Sequence, residues 1–311
     1  MARVRAEGSR VRSGIFPEAR SAVRRAQCRG VRLHPEKPSR TAQRVAERRA
    51  AHQLLDKPLV FDDPLAVRII GARAEANLPE QPKNFVAARF RAYMAARSRF
   101  AEDELREAVA RGVRQYVILG AGLDTFAYRN SFPDLRVFEV DHPATQAWKR
   151  KRLAQVGIPV PSSMTFAPVD FTRETFDDGL RNVGFNENAP SFFSWLGVTM
   201  YLEPDLVLGT LRAILEMHAS NGVVFDYAVP RETLGIVGRL ALDAVSRRVK
   251  RAGEPFKGFF APAELLAKLR EIGYTHIEDL GSAEIDARYF SGRTDKLRSG
   301  SQLGRLVSAR G

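Results

Sequence analysis

The sequence predicts an α/β protein: a doubly wound, mostly parallel seven-stranded sheet with a helical cap formed by the N-terminal part of the chain. Three observations predict it. Short apolar runs alternate with amphipathic stretches over about 200 residues, the pattern of parallel strands joined by helices on both faces. The run Gln115-Tyr-Val-Ile-Leu119 reads as a buried strand that empties into Gly120-Ala121-Gly122 and a turn carrying Asp124. Glycines there let the backbone approach a ligand that a Cβ would repel, as a nucleotide-sized crevice requires. Ahead of that strand, residues 39–111 read as helices.

The elements follow in order. Residues 1–35 hold nine arginines against only Glu7 and Glu18, and supply +7 of the net charge of +13. They lack the apolar core of a secretory signal. We expect a solvated basic tail, or upstream sequence translated from too early a start, ahead of Nucleic-acid arm or transit peptide as readings. The ordered protein is expected to begin near Pro38, giving a basic extension (1–37), a helical cap (38–112) and an α/β domain (113–311). Ser39 and Thr41 are N-cap candidates for a helix to about Leu55. Leu59-Val-Phe-Asp-Asp-Pro64 is a turn, with Pro64 opening a short helix through Ile70. Residues 71–83 read as a loop, and a long helix over about 84–111 ends at Gly112. Strand signals then fall at 115–120, 135–140, 164–169, 191–196, 222–228, 274–280 and, more weakly, 303–309. Helical stretches lie at about 143–156, 173–182, 204–219, 231–250 and 261–272. Polar and glycine-rich sequence separates the last two strands, so the last is free to pair differently.

Composition excludes several classes. Cys28 is the single cysteine, which rules out an internal disulfide framework and a cysteine zinc site, and fits a reducing, cytoplasmic setting. No window approaches the roughly 18 unbroken apolar residues of a membrane span. His34, His52, His142, His218 and His276 show no metal-ligand spacing, so no metal is expected. Walker and Gly-x-Ser-x-Gly motifs are absent.

Candidate site residues gather around the glycine loop. The third glycine of a dinucleotide fingerprint would fall at Thr125. Its absence points away from a pyrophosphate and toward an adenosyl ligand without phosphates. Asp141 ends the strand Val137-Phe-Glu-Val-Asp141, at the distance where an acid can bind ribose hydroxyls. Glu139 shares its side of that strand, and Asp141 could instead cap the next helix. Asp170 ends another strand and could accept from an adenine amino group while Phe171 packs its ring; capping a helix is again the alternative. Arg97 falls within the apolar stripe Phe90, Met94, Ala101 and Leu105, where it needs an anion: a ligand carboxylate, or an acid such as Glu102. Trp195 and Tyr201 could wall an acceptor pocket or simply be core. His142 and Tyr201 are the weak candidates for a catalytic base.

Together these motifs resemble the S-adenosylmethionine-dependent methyltransferases of the leucine carboxyl methyltransferase superfamily, most of all its bacterial, actinobacterial-type branch. The resemblance runs from Pro38-Ser-Arg-Thr-Ala-Gln-Arg-Val-Ala to the C-terminus. It takes in Phe61-Asp-Asp-Pro-Leu, Gly120-Ala-Gly-Leu-Asp-Thr-Phe-Ala-Tyr-Arg, Phe138-Glu-Val-Asp-His-Pro143, Trp195-Leu-Gly-Val-Thr-Met-Tyr-Leu and Ala287-Arg-Tyr-Phe290. It implies a class I methyltransferase (Rossmann-like) fold, with Arg97 on the methionine carboxylate and Gly120 and Gly122 under the cofactor. It further implies Asp141 on the ribose, Asp170 and Phe171 on the adenine, and methyl transfer to an oxygen of a small molecule. Eukaryotic carboxyl methyltransferases place a glutamate where this chain has Leu196, so their protein-phosphatase substrate does not carry over. The competing readings are an NAD-dependent oxidoreductase and a non-catalytic nucleic-acid-binding protein on the same scaffold.

Overall fold

A computed structural model describes residues 40–78, 85–170, 174–251, 255–300 and 303–311. The basic head, the N-cap candidate Ser39 and the adenine candidate Phe171 lie outside the described residues. The chain opens with α1 (Arg40–Leu55), α2 (Ala66–Ile70), α3 (Ala72–Ala76) and the long α4 (Phe85–Ala110). Then follow β1 (Gln115–Leu119), β2 (Arg136–Asp141), α5 (Pro143–Gln155), β3 (Met164–Pro168), α6 (Phe176–Arg181) and β4 (Ser191–Trp195). The chain closes with α7 (Pro204–Met217), β5 (Gly222–Ala228), α8 (Ile236–Arg251), α9 (Pro262–Ile272), β6 (His276–Leu280), α10 (Ser282–Tyr289) and β7 (Gly304–Arg310). No helix among the described residues is long and apolar enough to cross a membrane.

The seven strands lie in the order β3-β2-β1-β4-β5-β7-β6. The first five pair in parallel, and β7 runs antiparallel between β5 and β6. The doubly wound, mostly parallel sheet is therefore as expected, and the last strand does pair differently. Strand alternation feeds two cores. Tyr116 and Ile118 of β1 point to one core, with Phe100 and Leu105 of α4; Val117 and Leu119 point to the other, with Val207 of α7 and Leu265 of α9. Both faces of the sheet are thus covered, which is why its central strands β1 and β4 are buried along their whole length.

Two helices lie where the sequence reads as loop. The five residues of α3 bury none of their side chains, and α10 buries only Ile285 among its eight. Neither carries enough of an apolar stripe to be periodic. The connection from β1 to β2 has no α-helix, only the 3₁₀ turn Phe126–Tyr128.

Buried charges fasten the N-terminal helices to this sheet. Asp63, 1% exposed, accepts the Thr125 hydroxyl at 2.7 Å and lies 3.5 Å from Arg49 Nη2 and 3.4 Å from Arg129 Nε. Arg49 also donates to the Leu123 carbonyl at 2.9 Å, and Arg129 grips Glu102 through both Nη atoms. So Glu102, the alternative partner for Arg97, is committed elsewhere. A second cluster holds α1 against α4. His52 Nε2 accepts from the Val60 and Phe61 N–H groups, which leaves Nδ1 protonated and donating to Asp56 at 2.9 Å. Arg91 binds the same carboxylate through Nε and Nη2 at 2.8 and 2.7 Å. Asp63→Ala would take one of two carboxylates from each of Arg49 and Arg129 and leave the buried Thr125 hydroxyl without its acceptor, and should cost about 1–3 kcal/mol in urea unfolding. An unchanged midpoint would mean that packing alone holds the cap.

Candidate active site

A cavity of about 440 Å³ opens at the carboxyl ends of β1, β2 and β4, where the strand order reverses around β1. Its floor is the loop Gly120-Ala121-Gly122, reached directly from β1. Gly120 and Gly122 have φ of +69° and +48°, a region that L side chains avoid. They are also crowded: a Cβ on Gly120 would lie 2.6 Å from Val198 Cγ2, and one on Gly122 3.0 Å from the Ala42 Cβ. The loop is therefore clamped between the segment after β4 and the first helix.

Asp141, at the tip of β2, lies in the cavity wall and is half-buried. Its Oδ2 accepts from the Gly122 N–H at 2.6 Å and its Oδ1 from the His142 N–H at 2.7 Å. Burial raises its carboxyl above the usual range, and the two N–H groups offset only part of that. Asp141 is not the N-cap of α5. That place belongs to His142, whose Nδ1 accepts from the Ala144 N–H at 3.2 Å. His142 is not among the residues that line the cavity. Glu139, the other acid on β2, is fully buried and paired with Lys149 Nζ at 2.7 Å. Burial pushes its carboxyl up to about 7 despite that lysine.

Arg97 reaches the wall from α4, and its anion is Asp226 of β5 rather than Glu102. Nη1 donates to Asp226 Oδ2 at 2.7 Å, while the buried Nε has no hydrogen-bond partner. Burial works against the Arg97 charge, but Asp226 outweighs it and holds the guanidinium protonated. Asp170 stands at the end of β3 as expected, yet it is not in the wall; its backbone N–H donates to Glu174 Oε1. The aromatic ring that the structure does place in the wall near α6 is Phe176. Trp195, Leu196 and Tyr201 all line the cavity, and Trp195 is at the same time core.

Three charged or aromatic residues of the wall, Arg49, Phe176 and Lys257, carry no role in the sequence reading. Arg49 sits on α1 with Ala42, Val45 and Ala46, all in the wall, at the same i, i+3, i+4, i+7 spacing that exposes Arg97 as an arginine within an apolar stripe. Its carboxylate partner Asp124 is pushed up by burial, but Arg49, Lys149 and the Phe126 N–H hold it below the usual range. Lys257, 3.3 Å from Glu203, and Phe176 lie in short segments without periodicity and carry no such signal.

A glycine-loop cavity at the switch point of a seven-stranded sheet whose last strand is antiparallel defines a Rossmann-like fold of the class I methyltransferase type. A DUF574 family protein from Streptomyces avermitilis superimposes with a TM-score of 0.51 at 16% identity, over 85% of this chain and 96% of that one, a likeness of fold. The profile of the leucine carboxyl methyltransferase family matches residues 42–215. A Bacillus subtilis protein, provisionally named as an S-adenosyl-L-methionine-dependent methyltransferase, is 35% identical over 80% of this chain and 90% of its own length. A Mycolicibacterium gilvum protein with the same provisional name is 34% identical over 62% of this chain and 67% of its own. The chain belongs to the leucine carboxyl methyltransferase family. Gly120→Ala is expected to destabilise the fold by about 1–3 kcal/mol through its positive φ alone, read as a lowered thermal midpoint.

Proposed function

We propose that this methyltransferase binds S-adenosylmethionine in the cavity and transfers the methyl group to an oxygen of a small molecule, a carboxylate by preference. The observation that carries the cofactor reading is the pairing of Asp141 and Arg97 across one glycine loop. The cofactor supplies a methyl group on a sulfonium, whose leaving group is a neutral thioether. Arg97, which lines the wall and is held in place by Asp226, fits a carboxylate at the amino-acid end. Asp141 has both oxygens fixed by backbone N–H groups and retains lone pairs for ribose hydroxyls. Gly120 and Gly122 keep the floor free of side chains. Asp170 and Phe171 remain the residues we assign to the adenine, on the resemblance rather than on contact with the cavity.

A dinucleotide fits less well. Residue 125, where a third glycine would stand, is a threonine with no exposure, bonded to Asp63. The missing helix between β1 and β2 also removes the N-terminus on which a pyrophosphate would rest.

The acceptor reading rests on the remaining wall. Trp195, Leu196, Val198, Leu202 and Leu206 make it apolar and able to exclude water, and Arg49 and Lys257 add positive charge. Among the described residues, its only carboxylates are Asp124 and Asp141, and both are tied to N–H groups or arginine. Among the described residues, no histidine lines it. A hydroxyl acceptor would need a base, whereas a carboxylate arrives already deprotonated, so the wall suits the carboxylate. Holding the acceptor in line, at about 3–3.5 Å from the methyl carbon, is then most of the catalytic task.

Two measurements test this. Asp141→Ala should weaken S-adenosylmethionine binding at least tenfold, by about 1.5 kcal/mol or more, in calorimetry, and unchanged affinity would remove the ribose assignment. Tyr201→Phe should leave turnover nearly intact once an acceptor is in hand. A fall of roughly 100-fold or more would instead make Tyr201 a base and the acceptor a hydroxyl.

A further inference from the structure

The Arg97 partner, Asp226, raises a question that helix packing does not answer. Asp226 lies within β5, is 1% exposed, and is not itself in the cavity wall, whereas Arg97 and Gly197 both are. One carboxylate oxygen takes Arg97 Nη1 at 2.7 Å; the other takes the Gly197 N–H at 2.5 Å. The Thr199 hydroxyl donates to the Asp226 carbonyl. A single side chain behind the wall thus holds an arginine from α4 and the backbone turn after β4.

The turn is shaped to the guanidinium. Gly197 has φ of +74°, and a Cβ there would stand 3.0 Å from Arg97 Nη1 and 3.4 Å from Nη2. The planar group therefore lies over a position that only glycine leaves open. Apolar residues of the same volume would dock the helix as well, so what this pair adds is a fixed orientation for the arginine.

We propose that Asp226 is a positioning residue: together with Gly197 it orients Arg97 so that the remaining donors of the guanidinium meet the carboxylate at the amino-acid end of the cofactor. The proposal rests on the cofactor reading above. Asp226 touches neither cofactor nor acceptor; it acts through Arg97. It supplies a counter-charge to the buried arginine, and it takes one donor of the five on that group.

The test compares two ligands that share the adenosine end. S-adenosylhomocysteine carries the amino-acid carboxylate, and 5′-methylthioadenosine lacks it. In calorimetry, Asp226→Asn should weaken S-adenosylhomocysteine roughly tenfold or more and leave 5′-methylthioadenosine unchanged, because an arginine no longer held by a carboxylate is misaligned for the ligand and the Asp141 side is untouched. Asp226→Glu keeps the charge but displaces the guanidinium by one methylene, and should show the same selective loss. Equal loss of both ligands in either variant would make Asp226 a structural residue and overturn the proposal, as would no loss of either. Failure of the unaltered protein to bind both ligands is a separate result: it overturns the cofactor reading, and the proposal with it.

Discussion

The carboxylate of Asp63 is the point on which the rest of this architecture depends. It comes from the turn between α1 and α2, yet it binds Thr125 of the glycine loop and lies against Arg49 of α1 and Arg129 beyond the 3₁₀ turn. Burying charges of this kind is costly unless every partner is in place. Once they are, the first helix has no freedom to sit elsewhere: Ala42 lies against Gly122, and Arg49 against the Leu123 carbonyl. The cavity roof is fixed to its floor by a few charge-assisted bonds rather than by apolar packing alone.

The same economy governs the cavity itself. Three of its charged groups are held by fixed partners: Arg97 by Asp226, Asp141 by two backbone N–H groups, Arg49 by Asp124 and Asp63. Each is thereby kept in one orientation, and each keeps capacity for a ligand. That arrangement suits a reaction in which the reactive methyl group is brought by the cofactor and the protein's work is placement and exclusion of water. It also accounts for the absence of a nucleophile-base pair from the chain's motifs.

Much of this was legible in the residues. Alternating apolar runs located all seven strands to within two residues, because central strands covered on both faces are mostly apolar. The glycine loop, Asp141 and Arg97 were each visible as a departure from a local pattern: a glycine pair after a strand, an acid at a strand tip, a charge in an apolar stripe. Arg49 carried the same mark as Arg97. The short helices α3 and α10 were not visible, since they bury too little to show a period. Nor was the role of His142: a histidine beside a strand tip reads as a candidate base, and only its bond to the Ala144 N–H reveals a helix cap.

What the sequence determined by itself was the class of fold, the place of the cavity along the chain and the kind of group needed at its positive end. Those follow from periodicity and from the conformational demands of single residues, which are local. What only the tertiary structure decided was pairing across distance: Arg97 with Asp226 rather than Glu102, Thr125 with Asp63, and β7 inserted antiparallel between β5 and β6. A buried charge must have a partner, but which of many acids supplies it is set by the packing of elements far apart in the chain, and no local pattern carries that information.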